Sequence, residues 1–127
     1  MSAPFDPTIL TRRSTADLSS SEWLLVVSSG DDDLAVCGDG AAAIGSLTND
    51  VADGSSTAVY VPVQVGGVIK VECGNTCTVG TFCMSDSAGN AVDVTGSKIF
   101  AFGIALGDYV DGEIGAFLWC PSFMETT

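Results

Sequence analysis

The sequence predicts an all-β domain, a small barrel or sandwich of short antiparallel strands. Three observations carry that prediction. No stretch keeps a helical apolar period for the roughly ten residues that a stable helix needs. Short apolar runs alternate with clusters of Gly, Asp and Ser, such as Ser28-Ser29-Gly30-Asp31-Asp32-Asp33 and Asp86-Ser87-Ala88-Gly89-Asn90, which is how strands and tight turns look in sequence. The third observation is a duplicated hairpin. Ile44 to Val61 and Phe102 to Trp119 align without a gap at an offset of 58, placing Gly45 on Gly103, Asp50 on Asp108, Asp53 on Asp111, Gly54 on Gly112 and Ala58 on Ala116. Each copy reads as an apolar strand, an acidic turn closed by Asp-Gly, and a second apolar strand, because Gly accepts the positive φ such turns need.

In chain order, residues 1–22 are expected to form an N-terminal arm. Pro4 and Pro7 oppose regular structure there, and Phe5, Ile9 and Leu10 are apolar residues on a polar background. Trp23 to Val27 has the length and β-branching of a buried strand. Leu34 to Cys37 is the next strand, and Gly38-Asp39-Gly40 turns into Ala41 to Leu47. Val59, Val61, Val63 and Val65 mark a half-buried strand by their period of two. Pro62 is expected at an edge or bulge, and Gly66-Gly67 separates that strand from Val68 to Cys73. Thr81 to Met84 and Ala91 to Val94 follow. The second copy of the hairpin spans Ile99 to Cys120, and Pro121 is expected to end its last strand. The domain is thus expected over residues 23–121, with a loose tail over 122–127.

The charge is lopsided: 16 acidic residues against four basic ones, no His, and a net charge of −12. Such a body is repelled by phosphates, which argues against nucleic-acid partners. No apolar run approaches the ~20 residues needed to cross a membrane as a helix, so no membrane partner is expected. Two of the four basic residues, Arg12 and Arg13, lie in the arm. The arm is therefore the natural contact for an acidic partner surface, through Phe5, Ile9, Leu10, Arg12 and Arg13.

Catalytic chemistry finds little support. Without His, the usual general base and the commonest metal ligand are both missing. Cys73, Cys77 and Cys83 lack the paired spacing of a structural zinc site. The polar first 20 residues carry no apolar secretory core, so the five cysteines are expected as reduced, packed thiols. Asp31, Asp32, Asp33 and Asp39 lack the alternate-residue ligands of a calcium loop. Asp50, Asp53, Asp108 and Asp111 beside glycines are expected to serve turns rather than a glycosidase pair. No enzyme, metal or cofactor is expected.

The duplicated hairpin, the Gly66-Gly67-Val68-Ile69-Lys70-Val71 strand between its copies, and Gly103-Ile104-Ala105-Leu106 near the C-terminus resemble the small decoration, or cement, proteins of tailed-bacteriophage heads, of the compact β-barrel type. The resemblance covers about residues 34–120 and rests on pattern and glycine positions. Five cysteines and a longer N-terminal extension depart from that family's pattern. The resemblance implies a non-enzymatic virion protein whose partner is the major capsid protein. It would bind the outer surface of the assembled, expanded capsid, as a homotrimer at three-fold positions, and clamp neighbouring capsomers against the pressure of packaged DNA. The arm residues would lie across capsid subunits. The alternatives are another phage structural part (tail or head-completion) and a small β-barrel module that binds a ligand.

Overall fold

A computed structural model of the protein describes residues 9–30, 33–47, 51–96 and 98–124. Its strands are β1 (Ile9–Ser14), β2 (Leu25–Ser29), β3 (Asp33–Val36), β4 (Gly45–Leu47), β5 (Val59–Gln64), β6 (Val68–Glu72), β7 (Thr76–Cys77), β8 (Phe82–Ser85), β9 (Ala91–Asp93), β10 (Ile99–Ala105), β11 (Tyr109–Val110) and β12 (Ile114–Met124). No helix occurs among the described residues. The all-β expectation holds.

The duplication reaches well beyond one hairpin. The first sheet has the order β1-β5-β4-β2-β3 and the second β6-β12-β10-β8-β9, while β7 and β11 form a two-stranded sheet of their own. Numbered within its own half, each large sheet runs first, fifth, fourth, second, third, and every neighbouring pair in it is antiparallel. The chain is therefore two copies of one five-stranded unit, an N-half from β1 to β5 and a C-half from β6 to β12. Further identities at the same offset support this: Ser29 with Ser87, Val36 with Val94, Gly38 with Gly96, and Ala43 with Ala101.

Each sheet also curls so that its edges meet. With five strands antiparallel in succession, the two edge strands run parallel to one another. In the C-half, Cys73 directly after β6 makes a parallel bridge to Ala91 of β9, and the Gly74 N–H donates to the Ala91 carbonyl at 2.9 Å. In the N-half, β1 lies against β3, and Arg13 Nε stands 3.7 Å from Asp33 Oδ1. Asp33 and Ala91 are themselves 58 residues apart, so the two seams are equivalent in position and differ in chemistry.

Each half encloses an apolar cluster. Val26, Leu34, Leu47, Val61 and Val63, with Leu18, fill the N-half. Ile69, Val71, Cys73, Cys77, Cys83, Phe102 and Phe117 fill the C-half, where Leu25 and Cys37 of the N-half join them. Backbone bonds tie the halves together: Leu25 N to Gly89 O at 2.8 Å, Gly40 N to Ser85 O at 2.9 Å, and Glu72 N to Trp23 O at 2.9 Å. The last of these, with Lys70 N to Gln64 Oε1 at 3.4 Å, also covers the outer edge of β6, which would otherwise invite another strand.

The central hairpins show what the shared glycines do. A Cβ on Gly45 would stand 2.1 Å from the Gln64 carbonyl oxygen, and one on Gly103 would stand 2.2 Å from that of Leu118. At both sites the facing strand comes too close for any side chain. The Asp-Gly pairs are less alike. Gly112 has φ of 89°, as a turn glycine should, whereas Gly54 lacks a positive φ and is needed because Ser14 O lies 2.3 Å from its would-be Cβ.

Three expectations are corrected. The N-terminal arm is not extended through residue 22, because Ile9–Ser14 pair with β5 over six positions and Leu18 is buried in the N-half core. The strand expected from Trp23 begins at Leu25, and Trp23 takes a left-handed backbone (φ 69°) just before it. Pro121 does not end β12, which runs on to Met124. Opposite Pro121 the register slips, with Gly103 facing Trp119 and Ala101 facing Ser122. Two residues, Cys120 and Pro121, thus oppose Phe102 alone, a bulge that has no use for the N–H that proline lacks.

Candidate interaction surface

Strand alternation sorts the residues singled out in the arm. In an antiparallel pair, residues directly opposite share a face. Leu10 faces Val63 and Arg12 faces Val61, and both valines are fully buried. Leu10 and Arg12 therefore belong to the core side of β1, at its rim, where Leu10 stays 41% exposed. The Arg12 Nε is shielded from solvent without a hydrogen-bond partner. Ile9 faces Gln64, Thr11 faces Pro62 and Arg13 faces Tyr60; these form the outer side. Phe5 lies outside the described residues.

A shallow groove of about 270 Å³ lies at the β1–β5 pair, lined by Thr11, Arg13 and Tyr60 of the outer side and by Arg12 at the rim. Tyr60 is 74% exposed. The Arg13–Asp33 contact, at 3.7 Å, is longer than a hydrogen bond and leaves most of the guanidinium's donors open to a ligand. Arg13 beside an exposed phenol, with Arg12 at the rim, on a chain of net charge −12, makes a cationic and aromatic patch suited to a carboxylate-bearing protein surface. Sequence reasoning missed Tyr60. The signal was there, because Val59, Val61 and Val63 point inward and their period places Tyr60 outward.

The same alternation gives the C-half a different face. Val68 faces Leu118, Leu118 faces Ile104, and Ile104 faces Phe82, an apolar row across four strands. Phe100 and Phe123, both exposed, pack against each other at a tilt, with ring centroids 5.0 Å apart. Lys70 and Glu72 share this outer side of β6 through their partners Ala116 and Ile114.

The acidic loops serve the backbone. Asp53 Oδ1 accepts from Ser55 N at 2.8 Å, Asp108 Oδ1 from Val79 N at 2.9 Å, and Asp86 Oδ1 from Ala88 N and Asn90 N. The Ser19 hydroxyl and amide hold the Asp17 carboxyl below its ordinary range. Asp31, Asp32 and Asp50 lie outside the described residues. Among the described residues no group of three or more Cys, Asp and Glu is placed to hold a metal ion. The thiols of Cys37, Cys73, Cys77, Cys83 and Cys120 are free.

The architecture defines a class: a tandem pair of five-stranded, all-antiparallel units that share one strand order. A solved structure has this fold. The chain is similar to the N base of the head fiber gp8.5 of bacteriophage phi29, with a TM-score of 0.71 and 18% identity, covering 96% of this chain and 99% of that one. No family model matches the chain, and no curated protein matches it in sequence.

Proposed function

We propose that this chain is a structural, non-enzymatic protein of a phage head, seated on the outer surface of the assembled capsid through the outer side of β1 and β5. The observation that carries the reading is the fold shared with a phage head-fiber base over 96% of the chain. The resemblance to head decoration proteins agrees with it. The major capsid protein is the partner, and Arg13 and Tyr60, flanked by Ile9 and Thr11, make the contact. Leu10 and Arg12 contribute from the rim. A firm scaffold with a small cationic patch suits repeated placement on a symmetric lattice, where many modest contacts add up. In this reading the bound copies clamp neighbouring capsomers. They assemble as homotrimers at three-fold positions, and the apolar row of the C-half is the surface on which copies meet.

Co-sedimentation of the purified chain with expanded, undecorated heads of its source phage tests the proposal. Saturable binding with many copies on every head, absent from unexpanded shells, is expected. Arg13→Glu should weaken it at least tenfold. Point substitution is the right instrument, since a truncation through residue 13 would remove most of β1. No binding, or binding confined to a single vertex, would overturn the decoration reading. A second reading is favoured because the similar structure is the base of a head fiber: this chain is the head-attached base of a longer surface fiber. Imaged particles then show density projecting outward from each bound copy.

A further inference from the structure

Cysteine chemistry is concentrated at one place in the molecule, the seam that closes the C-half. Cys73 makes the parallel bridge to Ala91, and Cys77 of β7 donates its thiol to the Ala91 carbonyl at 3.3 Å. The two sulfurs are 3.2 Å apart, and both residues are at most 1% exposed. Cys73 also reaches Tyr109 O at 3.7 Å; Cys83, likewise buried, lies near Cys77 and reaches Thr81 O and Asp93 Oδ1, and Cys37 reaches Gly38 O and Ala41 O. At the equivalent seam of the N-half the side-chain contact is a long ion pair, Arg13 with Asp33.

We propose that Cys73 and Cys77 form an intramolecular disulfide when the protein meets a small disulfide oxidant such as glutathione disulfide, turning a hydrogen-bonded seam into a covalent one. The inference stands apart from the capsid reading, because it concerns the chain alone. In the first step the Cys73 thiol gives its proton to solvent. Its sulfur attacks one sulfur of the oxidant, whose S–S bond breaks and releases a thiolate that takes up a proton. In the second step the sulfur of Cys77, also deprotonated, attacks the Cys73 sulfur of the mixed disulfide and expels the second small thiol. Two protein thiols are oxidised and one oxidant disulfide is reduced to two thiols. Cys73 leads because its thiolate is the more accessible of the two. Burial, with the Cys77 hydrogen bond, pushes it up to about 12, while the neighbouring Cys83 thiol and burial push Cys77 higher still. The reaction is accordingly slow at neutral pH and faster as the pH rises, and it waits on local opening of the seam. A protein made in a reducing cytoplasm would stay reduced until released.

The experiment uses the full chain, purified reduced, incubated at pH 8 with glutathione disulfide, then acid-quenched, alkylated and mapped by mass spectrometry. Expected is a peptide containing residues 73–77 that is lighter by two hydrogens and not alkylated at either cysteine. The oxidised protein should melt several degrees above the reduced one, since a cross-link restricts the unfolded chain. Cys83→Ser should still form the bond, whereas Cys73→Ser and Cys77→Ser should lose both the bond and the shift in melting. The proposal is overturned if the native chain leaves Cys73 and Cys77 alkylatable, if the bond joins either of them to Cys83 or Cys120, or if a glutathione adduct persists on either. The peptide map of the unmodified chain decides the matter even where a serine variant fails to fold.

Discussion

The two halves share a strand order and an offset, yet they are finished differently. The N-half is packed with Val and Leu, closes its seam with an arginine and an aspartate, and presents Arg13 and Tyr60 outward. The C-half is packed around aromatic rings, with Phe102 and Phe117 at a centroid distance of 5.3 Å and Tyr109 and Phe117 at 5.6 Å. Its seam is fastened by thiols and a backbone bridge, and its outer side carries an apolar row beside Lys70 and Glu72. The comparison separates what the fold demands from what a half is free to vary. Strand order and the glycines at the close strand crossings are kept; core chemistry, seam chemistry and outer surface are not. A duplicated scaffold thus offers two unlike faces, one with an arginine beside an exposed tyrosine and one with an apolar row.

The largest expected effect probes the cores. Phe117→Ala should cost about 4 kcal/mol, as a fully buried aromatic side chain lost from a close-packed interior. Val59, its counterpart 58 residues earlier, is only half-buried, and Val59→Ala should cost about 1 kcal/mol. Urea denaturation measures both. Equal costs would mean that the C-half core does not dominate.

Next come the shared glycines. Gly45→Ala and Gly103→Ala should each cost about 3 kcal/mol, because each new Cβ meets a backbone carbonyl that cannot move without parting two strands. If one is tolerated and the other is not, the central hairpins are not equivalent. Gly54 and Gly112 sharpen the point. Gly112→Ala has open space and only an unfavourable φ to overcome, about 1 kcal/mol, whereas Gly54→Ala should cost clearly more by colliding with Ser14 O.

The seams give the smallest effects. Arg13→Ala should change stability by less than about 1 kcal/mol, since the pair is long and the Arg13 side chain is 44% exposed, and added salt should shrink the difference. At the other seam, Cys73 titrates near 9.0 when unfolded and about 12 when folded. A folded value above the unfolded one means that its contribution is fully present below pH 9 and is lost as pH rises towards 12. A melting series across that window should show a decline that is reduced in Cys73→Ala. An unchanged decline would assign the alkaline loss to other groups.

Much of this was legible in the sequence, and the gaps have physical causes. The valine period gave β5, Gly66-Gly67 gave the break before β6, and the offset of 58 gave the central hairpins. The full duplication was hidden because the flanking strands keep few identities and slip in register. Tyr60 and Leu118 occupy equivalent positions, but the former faces Arg13 and the latter Val68. β1 was hidden because Ile-Leu-Thr-Arg-Arg-Ser has no alternation: its core side ends at a rim, where Arg12 can lie over apolar surface. The continuation of β12 was hidden because a bulge, which excuses Pro121, depends on the strand opposite. The resemblance to decoration proteins, which carried the expectation of a phage head, rested on pattern and glycine positions. The similar solved structure supplies the fold, and the capsid contact stays with the proposal.

The central claim is that the N-half face, and not the C-half face, meets the capsid. Hydrogen exchange of the chain bound to expanded heads, compared with the free chain at the same concentration, measures this directly. The account predicts added protection over residues 9–14 and 59–64, whether or not β6, β10 and β12, where copies meet, gain any. Protection confined to β6, β10 and β12, with β1 and β5 exchanging as in the free chain, would contradict it.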